Sequence, residues 1–142
     1  MHCMPVHDIC ADIAALLYPM PEQTGEGDAA YQVMAEMAGQ EREDLAEQLR
    51  LSLQEGGIDP LLSTLARLRD QRLQLEADMR LLMAYGRCFT SPRPYKLIDL
   101  ARAAGLSISG VRIAFTDDEI TQAAAALRRP PVSDGGPAPG PE

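Results

Sequence analysis

Side chains able to do covalent, acid–base or metal chemistry are few in this chain. Both histidines, His2 and His7, fall near Cys3 and Cys10 at the start. Those four residues are of the right types to ligate a thiophilic metal such as zinc. Their spacing matches no established zinc pattern, and they sit at a terminus of the kind that frays. No metal site is therefore expected. With Cys88 the cysteines number three, an odd set without framework spacing, which reads as free or buried thiols in a reducing compartment. There is no glycine-rich phosphate loop, no CxxC pair and no nucleophile motif. The paired acids Asp117 and Asp118 read better as helix N-terminal charges than as an acid–base couple. The expectation is a non-enzymatic protein without a cofactor.

What remains is unevenly distributed charge. The net charge is −8, which by itself argues against a nucleic-acid partner. Residues 1–85 carry six arginines against fifteen acids, a net −9. Residues 86–129 carry seven basic residues (Arg87, Arg93, Lys96, Arg102, Arg112, Arg128, Arg129) against four acids, a net +3. The remaining −2 comes from Asp134 and Glu142. An acidic first part joined to a basic second part implies a local electrostatic footprint for an anionic partner.

The basic residues surround the stretch Leu97–Thr116, LIDLARAAGLSISGVRIAFT. Two short helical patterns meet there at Gly105: Leu97, Leu100, Ala101 and Ala104, then Ile108, Val111, Ala114 and Phe115. Gly105 can take the positive φ that a sharp turn demands. Ala101 must be small because a second helix crosses it. Leu100, Ala104, Leu106, Val111 and Ala114 are expected to form the core between the helices, with Ser107 as N-cap of the second. The pattern resembles the helix-turn-helix signature of bacterial transcription regulators. One position departs from it: Lys96 stands where a Ser or Thr cap is usual, with Asp99 three residues on.

The resemblance implies that a second helix over about 107–115 is offered to the DNA major groove. Its outward residues would be Ser107, Ser109, Gly110, Arg112 and Ile113. Arg112 would read a guanine edge or hold a phosphate, Ser109 would bond a base or phosphate, and Gly110 would permit close approach. Arg93, Lys96 and Arg102, with Arg87, would be positioning contacts. A three-helix unit of this kind also serves as a pure protein-interaction domain, so that alternative stays open.

The elements that would carry this module read as helices throughout. Val, Ile and Thr never alternate with period two, so an all-α fold is expected. Asp8 caps a short first helix with Ile9, Ile13, Leu16 and Leu17 at helical spacing, ended by Pro19 and Pro21. A linker over 22–28 leads to a long acidic helix, Asp28–Glu55, whose apolar side is Ala30, Val33 or Met34, Met37, Leu45, Leu49 and Leu53. Gly56-Gly57 ends it, and Asp59-Pro60 opens the next helix.

That next helix, Pro60–Tyr85, carries Leu61, Leu65, Leu68, Arg72, Leu75, Met79 and Leu82 in alternating steps of four and three. This is a heptad seam interrupted once, at Arg72, which can set register or pair with an acid across an interface. Leu62, Leu73, Leu81 and Met83 widen the stripe. The helix is expected to fold back on Asp28–Glu55 as a hairpin, to pair with a second chain, or to do both. Gly86–Arg93 leaves the helix, Phe89 tucks under the following domain, and Ser91-Pro92-Arg93-Pro94 is an extended connector. A Thr116/Glu119 capping box starts a last helix from Asp117 to about Arg128. The Pro/Gly-rich segment 130–142 is expected to be disordered.

The expected plan is therefore an N-terminal helix and linker (1–27), a helical dimerisation arm (28–86), a helix-turn-helix domain (87–129) and a tail (130–142). No signal peptide or membrane span is expected, so the location is cytoplasmic. Arginine standing for nearly all lysine, with abundant Ala, Gly and Pro, fits a GC-rich bacterial genome. The function implied is a sequence-specific DNA-binding transcriptional regulator acting as a homodimer on double-stranded DNA. The alternative is an interaction module whose acidic arm docks a regulator or a polymerase component.

Overall fold

The computed structural model describes residues 7–23 and 28–132, and all its regular structure is helical. The six helices are α1 (Ile9–Leu17), α2 (Asp28–Gly56), α3 (Pro60–Cys88), α4 (Leu97–Ala104), α5 (Ile108–Ala114) and α6 (Asp117–Leu127). No strand occurs among the described residues. No helix among them is long and apolar enough to cross a membrane. The chain divides into two compact units, residues 1–69 and 70–142, with the division inside α3. The last turns of α3, from residue 70 onward, thus belong with the C-terminal helices.

In the first unit, α1 packs along α2. Asp8 caps α1 by accepting from the backbone N–H groups of Cys10 (3.0 Å) and Ala11 (3.3 Å). Its other oxygen is held by Arg50, whose Nε donates at 3.0 Å and whose Nη2 also binds. One carboxylate thus caps α1 and ties it to α2. The Arg50 guanidinium is the main cause of an Asp8 pKa below the usual carboxylate range. At the other end of α1, Arg42 donates to the Tyr18 carbonyl at 2.6 Å. Lys, Arg or His near a helix C-terminus satisfies carbonyls that lack an intrahelical partner.

The core here is Cys10, Ile13, Ala14, Leu45, Ala46 and Leu49, with Tyr18 against it. The buried face of α1 is thus 10, 13 and 14, whereas Ile9, Leu16 and Leu17 are exposed. The small residues Cys10 and Ala14 permit close approach to Ala46, so α1 turns that side, and not its bulkier one, to α2. On α2 only Leu45 and Leu49 of the expected apolar side are buried; Ala30, Val33, Met34, Met37 and Leu53 are exposed.

Gly57 ends α2 in the left-handed region (φ 64), its N–H on the Leu53 carbonyl at 2.9 Å. Asp59 then caps α3 by accepting from Leu62 N–H at 2.8 Å, with Pro60 in the first turn, where a missing N–H costs nothing. Within this unit α2 leaves the start of the α3 stripe uncovered. Leu61, Leu62, Leu65, Leu68, Leu73, Leu75, Met79 and Leu82 are all exposed.

In the second unit α3 continues three residues past Tyr85. Met83, Ala84, Arg87, Cys88 and the following Phe89 are buried. Burial of this face outweighs the cost of roughly 1 kcal/mol for Gly86 inside a helix. Gly86 is also closely packed: a Cβ there would lie 3.2 Å from Leu100 Cδ2. Ser91–Arg93 forms a bend, not a uniformly extended connector. It is fastened by Tyr95 N–H on the Gly86 carbonyl (2.8 Å) and by Thr90 Oγ1 on the Arg93 carbonyl (3.2 Å).

Two clusters fill this unit. Met83, Leu97, Ala101 and Val111 form one, flanked by Leu100, Ala104, Ile108, Ala114 and Phe115. Cys88, Phe89 and Ala123 form the other, flanked by Phe115, Ile120 and Ala124. Phe89 is stacked with Tyr85 at 6.3 Å and covered by the Arg129 guanidinium at 5.7 Å. Arg129 also donates to the Phe89 carbonyl (3.1 Å), and Val132 N–H donates to that of Cys88 (2.8 Å). Residues 130–132 thus return to the end of α3, although the sequence placed them in the tail. The expectations for His2, Cys3, the centre of the linker at 24–27 and the tail from 133 lie outside the described residues.

Candidate nucleic-acid interface

The C-terminal unit is built around a sharp turn between α4 and α5. Gly105 adopts φ 71, ψ 31, and its N–H donates to the Arg102 carbonyl at 3.4 Å. Leu106 N–H donates to the Ala101 carbonyl at 2.9 Å. This pair of bonds is the Schellman termination, which needs a left-handed residue at the turn. Ser107 then caps α5 through its side-chain oxygen on Gly110 N–H at 2.9 Å. Only Gly105, Leu106 and Ser107 separate the two helices. Lys96, at the cap position of α4, makes no side-chain capping bond and is exposed.

The two helices pack through small residues. Ala101 is buried, and Val111, fully buried, is the anchor of α5. Ile108 takes the core place that the sequence assigned to Leu106; Leu106 is exposed in the turn. The reason is geometric: the residue after a left-handed glycine leaves the helix axis, while Ile108, one turn before Val111, shares its face.

With Val111 inward, the opposite side of α5 is open. Ser107, Ser109, Arg112 and Ile113 are all exposed, and Ile113 is 80% accessible, a high value for a large apolar side chain. Gly110 is different. It is half-buried, and a Cβ on it would stand 3.2 Å from Ser107 Oγ and 3.3 Å from Leu106 Cβ. Gly110 therefore faces back toward the turn, so its small size protects the cap rather than opening the outer face. Ser107 has its oxygen engaged as the cap, which leaves its hydroxyl proton available to an external acceptor.

Of the basic residues expected to position an anionic partner, Arg93, Lys96 and Arg102 are exposed. Arg87 is not. It is buried, with Nη1 donating to the Tyr95 carbonyl at 2.7 Å, so it holds the α3–α4 connection instead of facing a ligand. Burial at the end of α3 explains this, and the sequence offered no sign of it because the helix was expected to stop at Tyr85. The exposed outer face of α5 thus combines a bidentate cation, two hydroxyls and one large apolar group. Side chains of these types are able to bond base edges and phosphates and to pack on a methyl group.

The remaining reactive groups form no site. No cluster of potential ligands able to hold a metal occurs among the described residues. Cys10 and Cys88 are buried thiols. Burial is the main cause pushing both thiols up, which keeps them protonated and unreactive at neutral pH. Glu119 has its pKa lowered, first by the Thr116 N–H it accepts at 2.9 Å, as a capping-box carboxylate does. Comparisons with protein families, curated proteins and solved structures find no match for this chain.

Proposed function

We propose that this protein is a sequence-specific DNA-binding transcriptional regulator that acts as a helical homodimer. In this reading α4 and α5 are the two helices of a helix-turn-helix, and α5 enters the major groove of double-stranded DNA. The observation that carries it is the open surface of α5: Ser109 and Ile113 stand opposite buried Val111, Arg112 is exposed on the flank and Ser107 at the N-cap. Arg112 reads a base edge, Ser107 and Ser109 bond bases or phosphates, and Arg93, Lys96 and Arg102 hold phosphates and set orientation. A seven-residue α5 presents few readers. Two copies on two half-sites would supply the specificity that one lacks.

Electrophoretic retardation of the upstream DNA of its own gene tests this, with Arg112→Ala beside the parent chain. Loss of one bidentate base contact is expected to weaken specific binding by about 1–3 kcal/mol. Equal retardation of both proteins at moderate salt would remove base reading by Arg112. No retardation even at low salt would refute DNA binding.

The second reading, a protein-interaction module, draws on α2. Exposed Val33, Met34 and Met37 adjoin the exposed acids Glu36, Glu41, Glu43, Asp44 and Glu47. A surface of this kind suits a basic, partly apolar protein partner. Capture on the full chain that survives high salt is expected if the apolar residues contribute, and loss at high salt if charge alone acts.

A further inference from the structure

The seam on α3 is an apolar stripe, interrupted only at Arg72, on one helix of 29 residues. Leu65, Leu68, Leu75, Met79 and Leu82 are 54%, 37%, 63%, 38% and 66% accessible. Stripes of this length at heptad spacing are covered in stable proteins by another helix. Within the seam, Leu61, Leu68, Leu75 and Leu82 occupy one of the two alternating heptad positions and Leu65, Arg72 and Met79 the other. The flanking positions are occupied by Arg69 and Glu76 on one side and by Gln71 and Asp78 on the other. All four of these are exposed.

We propose that the occupant is a second copy of the same α3, running antiparallel, with Arg72 of each copy level with Leu75 of the other. This rests on the homodimer reading above and adds its direction and register.

The argument is charge complementarity. A parallel pair places like positions face to face, so the two Arg72 guanidinium groups would share one core layer. Its flanks would pair Gln71 with Glu76, Thr64 with Arg69 and Asp78 with Met83, none of them opposite charges. An antiparallel pair matches each heptad position with the other kind and brings like flanks together. Four antiparallel registers keep Arg72 within the seam, and they differ by one heptad. Setting Arg72 level with Leu61 leaves only four layers and brings Arg69 against Leu62, with no pair of opposite charges. Setting Arg72 level with Leu68 brings Arg69 against its own copy. Setting it level with Leu82 brings Glu76 and Asp78 each against their own copies. Setting it level with Leu75 pairs Arg69 with Glu76 twice and Gln71 with Asp78 twice. It also puts Glu76 of one copy, next along from Leu75, beside Arg72 of the other. Leu65 then meets Leu82, and Leu68 meets Met79, giving six layers in which every charge near the seam has an opposite or a hydrogen-bonding neighbour. A single polar residue in a heptad seam is a known device for choosing register.

Cysteine cross-linking on the full-length chain separates the possibilities. Chains carrying Gln71→Cys and Asp78→Cys, made separately and then mixed under mild oxidation, are expected to give the mixed disulfide dimer. Leu75→Cys alone is expected to give none. The parent chain oxidised alongside controls for the native cysteines. Glu76→Arg is expected to raise the dimer dissociation constant about tenfold or more by light scattering across a dilution series. Circular dichroism checks that this exposed substitution leaves the helices intact. A self-linked Leu75→Cys dimer without the mixed product would overturn the antiparallel register and leave the homodimer standing. A chain monomeric at tens of micromolar would overturn both, while DNA retardation remains a separate measurement.

Discussion

Gly105→Ala isolates the turn on which the proposed DNA-binding unit depends. At φ 71, ψ 31 the residue lies in the left-handed region, which costs a residue with a Cβ roughly 1–2 kcal/mol. An added Cβ would meet nothing within 4 Å, so no collision adds to that cost. Alanine also narrows the unfolded ensemble, which offsets about 0.4–1 kcal/mol. The net loss is about 1 kcal/mol. With a urea dependence of about 1–3 kcal/mol per molar, the unfolding midpoint of the C-terminal unit should fall by about half a molar. Gly57→Ala is the matched control, since its φ is 64 and its Cβ direction is equally open; it should lose a similar amount in the N-terminal unit. Gly105→Asn should lose less than Gly105→Ala, because asparagine tolerates this region better. An unchanged or raised midpoint for Gly105→Ala would mean that the turn does not use the left-handed geometry, and the placement of α5 would then lose its basis.

Three further outcomes are expected. Val111→Ala removes the fully buried anchor of α5 and should cost about 2 kcal/mol, read as a lower thermal midpoint by circular dichroism. Lys96→Ala should leave sequence preference unchanged and reduce the slope of log affinity against log salt by about 1, read by retardation across a salt series. Asp8 has its carboxyl held below the usual range by Arg50. Its contribution is therefore present above the unfolded carboxylate pKa, near pH 4, and is lost as pH falls through the lower folded value. Asp8→Asn should flatten the acid limb of the stability profile of the N-terminal unit below about pH 4, followed by urea midpoints at stepped pH.

The parts of this fold that were legible in the chain are those closed by bonds between near neighbours. Asp8, Asp59, Ser107 and Thr116 each cap the helix that follows, through a backbone N–H two or three residues on. Gly57 and Gly105 take the left-handed turns that their position after a helix requires. These choices depend on one side chain and a few adjacent dihedrals, so residue type and spacing are enough to place them. The exposure of Ser109, Arg112 and Ile113 was readable for the same reason, since burying Val111 leaves them on the open sides of a regular helix.

Other features depend on what approaches from far along the chain. Which side of α1 is buried was decided by α2, whose Ala46 accepts the small residues Cys10 and Ala14. The end of α3 moved from Tyr85 to Cys88 because Leu97, Ala123 and their neighbours bury Met83, Cys88 and Phe89. The same burial turned Arg87 from an expected ligand contact into a structural bond to Tyr95. The sequence by itself determined where helices start and turn, and which residues of α5 stand opposite its anchor. Only the tertiary structure decided which apolar faces are covered, because a heptad pattern specifies a stripe but not its partner; it left the one on α3 open.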